Sequence, residues 1–117
     1  MSFLFEKLDV YQKAVELAEK VETLCEGIPK GNFHLVDQLR RAALSISLNI
    51  AEGSGRWHPG DKRQFYLIAR GSAYECVPIL ELLKRRKLID ETRFQEFKKE
   101  VDSIAKMLTK LVQSVEK

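Results

Sequence analysis

Glycine and proline are scarce in this chain, six and three of 117 residues, and they concentrate between stretches of regular apolar spacing. So few chain-breakers favour helices over the many turns that a β-protein needs. Long apolar runs are also missing: none approaches the roughly 20 residues needed to span a bilayer. The opening "MSFLFEKLDV" has acidic residues within its first ten and no extended apolar region, so it does not read as a secretory signal. A cytoplasmic protein without membrane contact is expected. Cysteine is limited to Cys25 and Cys76. Both fall within helical apolar patterns, where reduced core thiols are expected rather than a disulfide.

Catalytic constellations are absent too. Carboxylate-bridged metal bundles use a histidine three residues after a glutamate on an inward face, and neither His34 nor His58 stands in that relation. Neither cysteine has a motif partner for metal binding or nucleophilic chemistry. "GSGR" follows a helical pattern and does not connect a strand to a helix, as a phosphate-binding loop would. No catalytic residue, metal ligand or cofactor is expected.

What remains is an ordinary globular composition, 44% hydrophobic and 32% charged, and enough chain for a single domain over 1–117. The net charge of +3 is unevenly spread. Residues 1–29 hold six acids and three bases, residues 30–87 five acids and eleven bases, and residues 88–117 six of each. The basic middle can attract nucleic acid or an acidic partner, or it can be a solvated face with intersubunit pairs.

The spacing predicts four helices. The first runs from about Asp9, its cap by residue type, to Glu26, with Tyr11, Ala14, Val15, Ala18, Val21, Leu24 and Cys25 inside. "GIPKGN" ends it. The second covers about Phe33 to Ser54. The third covers about Asp61 to Lys87, where Asp61 and Gln64 have capping-box spacing. Its core stripe is Phe65, Ile68, Ala69, Ser72, Cys76, Ile79, Leu80 and Leu83, with a kink expected at Pro78. The fourth runs from about Asp90 to Val115 over Phe94, Phe97, Val101, Ile104, Leu108, Leu111, Val112 and Val115. Long amphipathic helices joined by short connections predict an all-α, antiparallel up-down-up-down four-helix bundle.

The second helix, "QLRRAALSISLNIAEGSGR", is unusual. At about 100° per residue its polar residues Gln38, Arg41, Ser45, Asn49, Glu52 and Arg56 fall along one line. One apolar face, Leu39, Ala42, Ala43, Ile46, Ile50 and Gly53, lies to one side. A second, Leu44, Leu48, Ala51 and Gly55, lies to the other. A broad apolar arc touching two neighbours would be continuous, and this one is split. The second face is therefore expected to meet another subunit, with Arg41, Asn49, Glu52 and Arg56 pairing among themselves or with the third helix, where Glu75 is the candidate for Arg41. Opposite the third helix's core stripe lie Arg63, Tyr66, Leu67, Arg70, Tyr74, Val77 and Glu81. That set suits a protein interface, with Tyr66, Tyr74 and Val77 as contacts. It also suits stacking and phosphate contact with RNA. Lys62, Arg63, Arg70 and the run Lys84, Arg85, Arg86, Lys87 are the candidate RNA-binding groups, although cations at a helix end also complement its dipole.

The segment Arg41-Ala42 through Ser45, Asn49, Ala51-Glu52-Gly53 and Gly55-Arg56, followed by "FYLIARGSAYE", resembles the four-helix-bundle family of proteins encoded in intervening sequences of bacterial 23S ribosomal RNA genes. "FEKLDVYQKAVELA" and the Ile28-Pro29 turn are similar as well, so the resemblance covers nearly the whole chain. Pro78 stands outside the motif. The resemblance extends to accessory proteins of diversity-generating retroelements, five-membered rings of bundles whose basic surfaces engage reverse transcriptase and its template RNA. It implies the bundle fold, a homopentameric ring and an RNA-associated role, and it implies no enzyme. The expected function is a non-catalytic homo-oligomeric assembly protein that binds structured RNA or a ribonucleoprotein. The alternative is a protein–protein adaptor, for example to a reverse transcriptase, without direct RNA contact.

Overall fold

The computed structural model describes residues 2–115. After a short 3-10 turn at Leu4–Lys7 come α1 (Asp9–Glu26), α2 (Phe33–Ser54), α3 (Pro59–Arg85) and α4 (Glu91–Ser114). Among the described residues there is no strand. Each helix packs on its neighbour in chain order, and α1 closes the ring against α4 through the least extensive contact. The direction of each pair is legible in its side-chain contacts. Ser54 meets Tyr66 and Ser45 meets Ser72, so the partner on α3 advances as the position on α2 recedes. Arg70 on Thr109 and Lys84 on Glu91 show the same for α3 and α4. The fold is the expected antiparallel four-helix bundle, 45 × 27 × 21 Å.

The helix ends have local causes. The Asp90 carboxylate accepts the Arg93 amide at 2.7 Å and starts α4, satisfying one of the donors a helix leaves unpaired. Pro59 opens α3, where its missing N–H costs nothing and its φ is already helical; the Asp61–Gln64 spacing lies inside the first turns and caps nothing. Leu8, not Asp9, occupies the α1 cap position, with Asp9 the first helical residue. At the other end of α3, Lys87 adopts a left-handed φ of 61°. The Leu88 amide then reaches back to the Leu83 carbonyl at 2.9 Å and the Lys87 amide to Lys84, a Schellman-type closure in which a lysine stands where glycine is usual. Helix α3 runs unbroken through Pro78. Pro78 is on an exposed position, so the Tyr74 carbonyl that it deprives of a partner can turn to water.

The core is aliphatic at its centre. Leu17, Leu39, Ile46, Ile50, Leu80, Leu83, Ile104 and Leu108 are all essentially inaccessible, and Phe94 and Phe97 close the α4 side. Burying each such side chain contributes about 1.5–3 kcal/mol. The α2 and α4 stripes match their periodic patterns. Two other stripes do not. On α1, Val10 and Leu17 are core positions while Val15 is 41% exposed. On α3, Ile68 is exposed and Tyr66 is buried, the reverse of the expectation.

The α3 correction has a steric cause at Gly53. A Cβ on that glycine would stand 2.9 Å from the Phe65 Cβ and 3.0 Å from the Tyr66 ring. The missing side chain lets the start of α3 press against the end of α2. The Tyr66 ring slides beneath, where its hydroxyl pairs with Ser54 Oγ at 2.9 Å. A buried phenol with a partner for its O–H is stable in a core, so Tyr66 is not on an outward face. The two thiols are core groups as expected, free and buried. Burial pushes Cys76 up to about 12 and raises Cys25 as well.

Two predictions follow from this packing. Gly53→Ala is expected to lower stability by about 1–3 kcal/mol through overpacking. Gly71→Ala, at a helical glycine with nothing within 4 Å of the added carbon, is expected to raise it by about 0.5–1 kcal/mol. Urea denaturation followed by circular dichroism measures both. In the native protein at pH 8, neither thiol is expected to react with a disulfide reagent on the time scale of a free cysteine, since the thiolate is the nucleophile; both react once the chain is unfolded.

Candidate assembly surface and nucleic-acid interface

The outward side of α2 carries Leu44 and Leu48, 50% and 58% exposed, with Ala51 half-buried beside them. The opposite side of the same helix supplies nine buried residues, from Leu35 to Gly53. Helix α2 is thus filled on its inner face and bare on its outer one, as the split pattern predicts.

The polar line between them divides in two. Its inner members serve the α2–α3 seam: Ser45 and Ser72 hydroxyls pair at 2.8 Å, and Asn49 Nδ2 donates to the Ser45 carbonyl and hydroxyl at 2.8 and 2.9 Å. Its outer members are exposed. Arg41 pairs with Asp37 one turn back at 2.8 Å rather than with Glu75, which stays in solvent on α3. The reason is proximity on one helix, since residues four apart face each other at little entropic cost. Arg56 lies 3.7 Å from Glu52 and 4.6 Å above the Phe65 ring. Such exposed pairs contribute ~0–1 kcal/mol each.

On α3, Tyr74 is 58% exposed and Val77 half-buried. They form one wall of a groove of about 460 Å³ against α4, floored by Val101 and Ala105 and rimmed by Lys98 and Lys99. Sequence periodicity gives no sign of this groove, because its walls come from two helices and its floor is read as ordinary core. Arg70 stands near its edge, donating to Thr109 Oγ1 at 3.2 Å with the Tyr74 ring 6.0 Å away.

The seven basic residues singled out by sequence do not make one surface. Lys62 and Arg63 lie at the start of α3 and Lys84 to Lys87 at its end, separated by roughly 33 Å at 1.5 Å per residue. Most already have partners within the chain. Lys62 Nζ donates to the Ser54 carbonyl at 3.0 Å, closing the end of α2. Lys84 contacts Glu91 at 3.3 Å and the Phe94 ring at 4.4 Å. Hydrogen bonds from Gln95 and from Lys84 hold the Glu91 carboxyl below the usual carboxylate range. Arg85 pairs with Glu81 at 3.0 Å, and Arg86 donates to the Asn32 side chain at 3.1 Å, tying two loops at one end of the bundle. Lys87 is the left-handed residue of the helix terminus. The turn between α2 and α3 adds a group that sequence reasoning passed over, Trp57, 94% exposed. Its only sequence signal was position, a large aromatic in "WHPGD".

Among the described residues no set of histidine, cysteine and carboxylate side chains is placed to hold a metal ion. No described helix is long and apolar enough to cross a membrane.

These features recur in known proteins. A crystal structure of a protein of unknown function from the S23 ribosomal protein family of Bacteroides thetaiotaomicron superposes with a TM-score of 0.83 at 25% identity, covering 90% of this chain and 99% of that one. Among functionally curated proteins, none matches. A family model described as 23S rRNA-intervening sequence protein matches residues 6–110. That span takes in α1, α2, α3 and all but the last turn of α4, together with the seam built on Ser45, Asn49 and Gly53, and the chain therefore belongs to the family of 23S rRNA-intervening sequence proteins.

Proposed function

We propose that this protein is a non-catalytic, homo-oligomeric assembly protein that presents repeated basic groups to structured RNA or a ribonucleoprotein. The observation that carries the assembly is the outer face of α2. Leu44, Leu48 and Ala51 leave a continuous apolar strip on the helix that otherwise packs best, and contiguous apolar surface rimmed by polar residues marks contact sites. A closed ring is the form of assembly that covers such a strip on every copy. Five copies, and kinship with the retroelement accessory proteins, rest on the sequence resemblance alone. The non-catalytic part is supported by the two cysteines, whose thiols burial keeps protonated.

RNA contact is supported by the excess of bases in residues 30–87. Assembly multiplies any weak site on one copy by the number of copies. Lys62 and Arg63 at one end of α3, and Lys84 to Lys87 at the other, would then form two bands of positive charge rather than one patch. A second reading, the protein adaptor, has its own observation in favour: Lys62, Arg70, Lys84, Arg85 and Arg86 already bond within the chain, whereas Tyr74 offers an exposed aromatic.

Light scattering of the intact protein is expected to give a multiple of the 13.5 kDa chain mass, and Leu48→Glu to reduce it while helical circular dichroism is retained. A wild-type species of single-chain mass at high concentration overturns the assembly. For RNA, retention of a structured transcript is expected to weaken between about 50 and 200 mM salt by a factor of ten or more if several phosphates are contacted. Retention that ignores salt removes the phosphate-contact reading, and partners that survive nuclease treatment favour the adaptor.

A further inference from the structure

Two apolar surfaces lie uncovered on different sides of the bundle: the ridge of Leu44, Leu48 and Ala51 on α2, and the groove of Tyr74, Val77, Val101 and Ala105 between α3 and α4. One projects and the other recedes. We propose that the α2 ridge of one copy seats in the α3–α4 groove of the next, so that the contact is head-to-tail and a single interface covers both surfaces. This rests on the self-association reading above and names the surface that receives the ridge.

Charge favours this pairing over ridge against ridge. Helices α1 and α2 together carry seven acids and four bases, and α3 and α4 seven acids and ten bases. The half of the molecule bearing the ridge is therefore net −3 and the half bearing the groove net +3. At the contact itself, Lys98 and Lys99 stand on the groove rim, while Glu52 is exposed beside Leu48 and Ala51. Two ridges facing each other across a two-fold axis would bring acidic halves together and leave both grooves open. Ridge into groove sets opposite charges against each other, which guides encounter and disfavours other registers. A contact between different patches also leaves each copy with one donor and one acceptor surface, the condition for a ring.

The test uses two full-length variants. Leu48→Glu spoils the ridge and keeps the groove; Tyr74→Glu, at an exposed position, spoils the groove and keeps the ridge. Each alone is expected to lose assembly and run at single-chain mass with unchanged helical circular dichroism. Mixed in equal amounts, they retain one matched ridge and groove between them. The mixture is expected to give a species of twice the chain mass and nothing larger, read by light scattering and by lysine cross-linking. The double charge reversal Lys98→Glu/Lys99→Glu is a second groove variant at exposed positions on α4 and is expected to behave as Tyr74→Glu does. Wild-type assembly with both groove variants assembling normally overturns the groove and leaves the assembly reading intact. A mixture that stays at single-chain mass also overturns the head-to-tail contact. A wild type of single-chain mass removes both readings together.

Discussion

The close approach of α2 and α3 is the constraint on which the rest of this bundle depends. It is made by what is small: Ala42, Ala43 and Gly53 on one helix, Ala69, Ser72 and Ala73 on the other, all buried. With no bulk between them the backbones come near enough for Ser45 to reach Ser72 and for Tyr66 to run under Gly53 to Ser54. A polar seam inside an apolar core is costly unless its members are paired, and no described buried side-chain polar atom lacks a partner. The seam fixes both the register and the rotation of α2. Once Ile46 and Ile50 face inward, Leu44 and Leu48 must face outward, because the helix has no other side to offer them.

The fold was largely legible in the sequence, and the reasons are local. All four helices end within two residues of their expected bounds, since Gly27, Gly55, Pro59 and Asp90 act on their own neighbourhoods. The two-sidedness of α2 could be read because a line of polar residues interrupts its apolar arc. The rotation of α3 could not. Its pattern has apolar and aromatic residues at 65, 66, 67 and 68, so several phases fit nearly as well, and the choice is made by the glycine across the seam. The Arg41–Glu75 pair failed for a similar reason: it spans two helices, while Asp37 competes from one turn away. The α3–α4 groove lay beyond periodicity altogether, because a concavity belongs to two helices at once.

The basic residues show how a charge run can mislead when read as surface. "KRRK" does at least three structural jobs, reaching Glu91, Glu81 and Asn32 while its last lysine turns the chain. Each is a weak exposed contact, and a phosphate could displace it at modest cost. The run therefore holds the α3–α4 corner in the free chain without forfeiting its charge. Function and architecture overlap on the same four side chains, and their substitution would disturb both.

Trp57 carries a last consequence. It is the only tryptophan, it sits on the turn after α2, and it is nearly fully in water. Its indole already has the solvent environment of an unfolded chain, so its emission spectrum is nearly blind to melting of the core. That same isolation makes it an optical sensor of the α2–α3 corner: a shift toward shorter wavelength can come only from something settling on that end of the bundle.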